Sequence, residues 1–227
     1  MSNKPVKVTD QNKPWNRKKE PSDHKAKSRE MKKTILIVTE GQTEELYFKS
    51  FPVITSFKVE AVNLEGQSKL KLINLTEGIV EESHIEYDEI WCVFDMDFKN
   101  GAKELSEFDN AISQGQSKGY KIAYSNDAFE VWFYLHYSYN DQKNIRSYYY
   151  KELGKYWNMN YEDEGKKYAF CERIYEILEE DNNASQENAI RWASKLHTSQ
   201  KDLAYHQQNP VTTVYQLVET LNKNLKP

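Results

Sequence analysis

The chain has 227 residues, of which 38% are hydrophobic and 29% charged, and its net charge is −4. That length accommodates one large domain, or one domain with a small second lobe. Composition excludes a membrane span, since no apolar run approaches roughly 18 residues. No apolar segment follows the first methionine as in a secretory signal. The two cysteines, Cys92 and Cys171, form neither a disulfide framework nor a zinc site, so a reducing cytoplasm is the expected compartment.

Charge divides the chain. Residues 1–33 hold 11 Lys/Arg against 4 Asp/Glu, and the remaining residues hold 20 against 31. Residues 1–32 therefore read as a basic, disordered or extended arm. Arg17, Lys18 and Lys19 are its candidate phosphate contacts, with a solvated tail as the plainer alternative. The acidic body argues against broad electrostatic binding of nucleic acid.

Folded sequence begins at Lys33. Residues 34–38, an apolar β-branched run, predict a strand buried on both faces, as in a parallel sheet. A helix follows, with Thr43 as its expected N-cap. Residues 57–62 are a weaker strand and 68–83 a helix. Residues 89–94 form a strand ending in Asp95-Met96-Asp97. Residues 102–117 are an amphipathic helix, 120–124 a strand and 128–137 a helix. The alternation predicts an α/β domain over 33–140 with a largely parallel sheet flanked by helices. Residues 141–227 read as a mainly helical C-terminal part packed on or beside it. Its helices are expected at 145–157, 166–180, 186–199 and 210–225, the last with Asn209 as N-cap and Pro210 at its first position.

The placement of acids carries the chemistry. Glu40 follows the first strand, and Asp95 and Asp97 follow the third. In a parallel sheet both points lie on the carboxyl edge, where open α/β folds place their sites. Residues i and i+2 of an extended segment point the same way, so Asp95 and Asp97 are expected to face one volume. Three converging carboxylates repel unless a divalent cation sits among them, and Mg2+ suits such oxygen donors. Turn or cap acids after strands are the alternative. Gly41 reads either as an ordinary turn glycine or as a residue that lets a phosphate or metal approach the backbone. No P-loop, dinucleotide fingerprint or nucleophile elbow occurs. Within Tyr148-Tyr149-Tyr150, three consecutive helical rings cannot all face one core. One, here taken as Tyr149, is a candidate to stack on a base.

Four blocks extend this pattern: Ile35-Leu36-Ile37-Val38-Thr39-Glu40-Gly41-Gln42-Thr43-Glu44, Trp91-Cys92-Val93-Phe94-Asp95-Met96-Asp97, Ser125-Asn126-Asp127-Ala128-Phe129-Glu130-Val131-Trp132, and Asn209-Pro210-Val211-Thr212-Thr213-Val214. Glu-Gly after a buried strand, with Asp-x-Asp two strands later, resembles the Toprim domain of primases, topoisomerases and several nucleases. In order and spacing the four blocks more closely resemble the RloB-like family, related to the AbiLii proteins, whose members have a Toprim-like fold. That family usually carries Asn-Pro where this chain has Asn126-Asp127.

The resemblance implies a metal-dependent nuclease that acts as an effector in bacterial anti-phage, abortive-infection defence beside an ABC-type ATPase. Glu40, Asp95 and Asp97 match the residues that hold Mg2+ (or Mn2+), with Glu40 also a candidate for proton transfer. Glu130 matches a further site acid, and a helix-start acid favoured by the dipole is its alternative. Glu44 and His136 are possible supporting residues. RNA, transfer RNA in particular, is slightly favoured over DNA as substrate. The alternative is a non-catalytic regulatory or sensor subunit of an ATPase defence complex, with the acids as a structural metal site.

Overall fold

The computed structural model describes residues 33–53, 56–61, 69–97 and 101–225. The basic arm, with Arg17, Lys18 and Lys19, lies outside the described residues.

Five strands form one sheet: β1 (Thr34–Thr39), β2 (Ser56–Ala61), β3 (Glu89–Asp95), β4 (Lys121–Asn126) and β5 (Val211–Thr212), in the order β2-β1-β3-β4-β5. The first four are parallel and β5 pairs antiparallel with β4. Ile35, Leu36, Ile37 and Val38 have no exposed surface, as expected of a strand covered on both faces. β2 lies at an edge, and its Lys58 and Glu60 form an ion pair there. Such charge on an edge strand discourages pairing with another chain.

The helices linking these strands are α1 (Gln42–Lys49), α2 (Lys69–Glu82) and α3 (Ala102–Ser117). Right-handed crossovers put α2 and α3 on one face and α1 on the other, and α2 and α3 pack together. Because β1 leads to β2 on one side and β2 returns to β3 on the other, the chain reverses direction between β1 and β3. That junction is the switch point where doubly wound sheets bind ligands.

The first helix departs from expectation at its start. Gly41, in extended conformation with φ −129°, is the N-cap of α1. Thr43 lies inside the helix, where its hydroxyl sits 3.5 Å from Cys171 Sγ. A short helix, α4 (Glu130–Tyr134), follows β4. All five of its side chains are buried. The Trp132 indole donates to Tyr47 Oη at 2.8 Å, and burying a ring of that size contributes about 2–3 kcal/mol.

The C-terminal part contains α5 (Arg146–Tyr156), α6 (Tyr161–Glu164), α7 (Tyr168–Cys171), α8 (Ile174–Glu180), α9 (Gln186–Gln200) and α10 (Val214–Asn222). The single helix expected over 166–180 is thus two, α7 and α8, and α6 is an addition to the expected set. The last helix begins at Val214, four residues later than expected, and Val211–Thr212 adds a strand to the sheet instead. The reason lies in side-chain anchors. The Asn144 backbone N–H donates to Asn209 Oδ1 at 3.1 Å, and Asn209 Nδ2 donates to the Asn144 carbonyl at 3.0 Å. The Thr213 backbone N–H donates to the Tyr124 carbonyl at 2.8 Å, and Thr213 Oγ1 accepts from the Tyr124 N–H at 2.9 Å. The Asn209 bonds fix the turn at 209–210, and the Thr213 bonds seat Val211–Thr212 against β4, a pairing that outweighs the helical signal of Pro210. The expected apolar face of Val214, Leu217, Val218 and Leu221 is fully buried.

Candidate functional site at the carboxyl edge of the sheet

Glu40 and Asp95 meet at the switch point. The Glu40 backbone N–H donates to the Val93 carbonyl at 3.0 Å, which fixes the end of β1 beside the end of β3. Lys69, at the start of α2, donates to Glu40 Oε1. The second oxygen of that carboxylate, Oε2, is buried and has no hydrogen-bond partner among the described residues. Asp95 Oδ2 accepts from the Phe129 N–H at 3.3 Å. Burial first, and then the Glu40 charge, push the Asp95 pKa well above the usual carboxylate value, with Lys69 and Arg146 opposing. The two carboxyls therefore share one electrostatic environment.

Asp97 does not extend the strand. β3 ends at Asp95, and Asp97 turns into the left-handed region with φ 43°, so the i, i+2 alternation that would align the two aspartates is lost. The Asp97 N–H donates to the Asp127 carbonyl at 3.1 Å. Its Oδ1 lies 2.5 Å from Arg146 Nη2 in an ion pair. The Arg146 N–H donates to Asp127 Oδ2 at 2.9 Å. Asp95 and Asp97 are linked through the Arg146 guanidinium, which feels both charges.

Gly41 and Glu44 make the adjoining wall. A Cβ added at Gly41 would stand 2.6 Å from Glu44 Oε2. The glycine accordingly admits a neighbouring carboxylate and not an unusual dihedral. Glu44 is nearly buried, and desolvation pushes its pKa up to about 7; Lys166 opposes, and Glu130 and Glu40 add to the rise.

Glu130 is fully buried. Its Oε1 accepts from Tyr161 Oη at 3.0 Å and from Lys166 Nζ, while Oε2 has no partner among the described residues. The Lys166 stem reaches solvent and its ammonium turns inward. Burial works against that charge, but Glu130, Tyr150 and Glu44 outweigh it and raise the Lys166 pKa.

Two expected residues stand elsewhere. His136 is buried, its Nδ1 3.0 Å from the Trp132 carbonyl and its ring edge-on to the Trp132 indole. Burial lowers its pKa to about 4, so it packs as a neutral core histidine. Tyr149 is also buried, between Tyr134 and Tyr148, and cannot stack on a base. Tyr150, one position on, is half-buried and lines a cleft.

Lys69, Arg146, Lys166 and Tyr161 complete the site, and sequence reasoning does not single them out. The one available signal is general: buried acids need cationic partners. Which cation serves which acid depends on contacts 29 and 36 residues apart for Lys69 and Lys166. Among the described residues, no three His, Cys, Asp or Glu side chains are gathered to hold a metal ion. The donors suit a hard cation in kind, through carboxylate oxygens including the unpartnered Oε2 of Glu40. Their present partners are ammonium and guanidinium groups.

A doubly wound, mostly parallel sheet with a cation-braced acidic cluster at its switch point is the class of protein these features define. The chain matches the RloB-like protein family model over residues 35–221. It belongs to the RloB-like family. No curated protein and no solved structure matches it.

Proposed function

We propose that the protein is a Toprim-like, Mg2+- or Mn2+-dependent nuclease. In this reading it hydrolyses nucleic-acid phosphodiester bonds, with RNA (transfer RNA) slightly favoured over DNA. It acts as an effector in anti-phage, abortive-infection defence with an ABC-type ATPase partner. The observation that carries the proposal is the pairing of Glu40 with Asp95 at the switch point, one with an unpartnered buried oxygen and the other with a pKa raised by burial and by its neighbour.

Glu40 and Asp95, with Asp97, would hold the cation. Bound there, it would supply Lewis-acid stabilisation of the phosphate and a more acidic water. The remaining roles fall to the chain's own side chains. The planar fork of Arg146 matches a phosphate oxygen pair and faces Asp95 and Asp97. Burial raises Glu44 to a pKa of about 7, so it is a carboxyl of this cluster suited to exchanging a proton near neutrality. Glu130 and Lys166 form the ion pair that acts on Glu44.

The test is incubation of the full chain with Mg2+ or Mn2+ and plasmid DNA, single-stranded DNA or total RNA, with and without the ATPase. Asp95→Asn is the control in every arm. Cleavage by wild type and not by the variant supports the proposal and names the substrate. One observation favours a second reading, a non-catalytic regulatory or sensor subunit: Lys69 and Arg146 already occupy Glu40 and Asp97. That reading predicts no cleavage in any arm, with ATPase binding retained.

A further inference from the structure

A cleft of about 390 Å3 opens between α5 and the segment leading into α6. Tyr150, Lys151, Lys155, Asn160, Tyr161 and Glu162 are among its lining residues. The volume falls in the range of small-ligand sites, about 300–1,000 Å3. Its aromatic wall is Tyr150, whose ring centroid lies 5.3 Å from that of Tyr161.

The cleft shares that wall with the acidic cluster. Lys166 Nζ lies 5.4 Å from the Tyr150 ring centroid while bonded to Glu130, and Tyr161 donates to the same Glu130. Arg146 begins α5 and faces Asp95 and Asp97. Tyr150 stands four residues on, so it occupies the same helix face one turn away, about 5.4 Å along the axis. Lys151 and Lys155 are exposed and also four residues apart, and Lys155 Nζ donates to Glu152 Oε1 at 2.5 Å, a partner that a phosphate would have to displace. The single acid in the lining is Glu162. The two lysines of the lining thus stand against Glu162 and against Glu152, which pairs with Lys155.

We infer that this cleft is a base-stacking subsite for single-stranded nucleic acid, with Tyr150 as the platform and Lys151 and Lys155 on the flanking phosphates. The inference rests on the nuclease reading for its orientation: a strand whose phosphate meets Arg146 lays its neighbouring base on Tyr150. The occupant is single-stranded because the faces of paired bases are covered by their stacked neighbours, whereas an unpaired base offers its face to a ring.

Fluorescence anisotropy of the full chain tests it, with labelled single-stranded RNA, single-stranded DNA and a hairpin duplex, in chelator so that no hydrolysis occurs. Base–aromatic stacking is worth roughly five- to 150-fold in affinity per base. Tyr150→Ala is therefore expected to weaken single-strand binding about tenfold, Tyr150→Phe to stay near wild type, and duplex binding to be unaffected. The exposed pair Lys151→Glu/Lys155→Glu should weaken binding and make the salt dependence less steep, by about 0.7 for each phosphate that is no longer neutralised. That pair keeps the test decisive if Tyr150→Ala fails to fold. Wild-type single-strand affinity in a folded Tyr150→Ala, or in the lysine pair, overturns the inference. So does equal weakening on duplex and single strand, or no wild-type binding at about 100 μM, the weak limit of non-specific affinity. The two readings fail separately. Weakened binding in Tyr150→Ala with no cleavage by wild type leaves the subsite standing and removes the nuclease. Cleavage by wild type with unchanged Tyr150→Ala binding does the reverse.

Discussion

The Lys69 ammonium rests on Oε1 of Glu40, and Oε2 of the same carboxylate is buried with no hydrogen-bond partner among the described residues. Lys69 also opposes the rise in the Asp95 pKa, so one ammonium serves both carboxyls. A divalent cation at this edge would have to compete with it. Lys69→Met should melt lower than wild type in chelator, because the clustered acids lose their counter-charge. It should also bind Mg2+ or Mn2+ about tenfold more tightly, a difference of about 1.4 kcal/mol. Thermal melts across a metal titration read both effects. Identical metal responses in the two proteins would remove Lys69 from the cation's place.

The aspartates are expected to separate in their effects. Asp95 belongs to the strand end beside Glu40, whereas Asp97 lies past a left-handed turn and against Arg146. Asp95→Asn and Glu40→Gln should each lower cleavage by at least about a hundredfold, beyond what outer positioning partners control. Asp97→Asn should cost less than either. Rates from a labelled oligonucleotide, with circular dichroism to verify folding, make the comparison. Equal losses at Asp95 and Asp97 would show that both act directly.

The sheet is legible in the chain because its signal is local. An unbroken apolar run such as Ile35-Leu36-Ile37-Val38 has few ways to be covered except as an interior strand. The edge position of Glu40 and Asp95 follows from those strands alone. Alternation cannot set the direction of Asp97, because it holds only while a strand continues, and β3 stops two residues earlier. Tyr149 and Tyr150 cannot be told apart by pattern, since one helical step decides which ring turns inward. The strand at Val211–Thr212 escapes sequence reasoning because its partner, β4, lies more than 80 residues away. The cations are illegible for the same reason: ion pairing across the fold leaves no periodicity in the chain.

Glu130 and Lys166 form a coupled pair that a double-mutant cycle can measure. Removing Lys166 leaves a fully buried carboxylate with Tyr161 as its remaining donor. The carboxylate is buried but the Lys166 side chain is 45% exposed, so solvent screens part of the loss and leaves about 1–2 kcal/mol. Lys166→Met should therefore destabilise measurably, and adding Glu130→Gln should recover much of the loss, because the uncompensated charge is gone. Urea denaturation of the four proteins gives the coupling. Additive losses would mean that the ammonium contributes through its solvent-facing stem and not through Glu130.

His136 and Glu44 give the stability a pH dependence in which two slopes oppose. The His136 pKa falls from the ordinary 6.5 to about 4 in the fold. The unfolded chain then binds a proton that the folded chain refuses, and stability drops as pH falls from about 6.5 to 4. The Glu44 pKa rises from 4.5 to about 7, chiefly by desolvation. The folded chain keeps its proton longer, so stability drops as pH rises from about 4.5 to 7. Each shift corresponds to at most about 3 kcal/mol. Between about 4.5 and 6.5 these two slopes oppose each other, with Asp95, whose pKa burial also raises, adding to the Glu44 side, and single variants separate the contributions. His136→Asn, which retains a donor for the Trp132 carbonyl and cannot protonate, should leave a stability that declines toward alkaline pH. Glu44→Gln should be more stable than wild type at pH 8 and lose that advantage by pH 4. Chemical denaturation from pH 4 to 8 in chelator follows both curves, and two variants that keep the wild-type profile would refute the assignment.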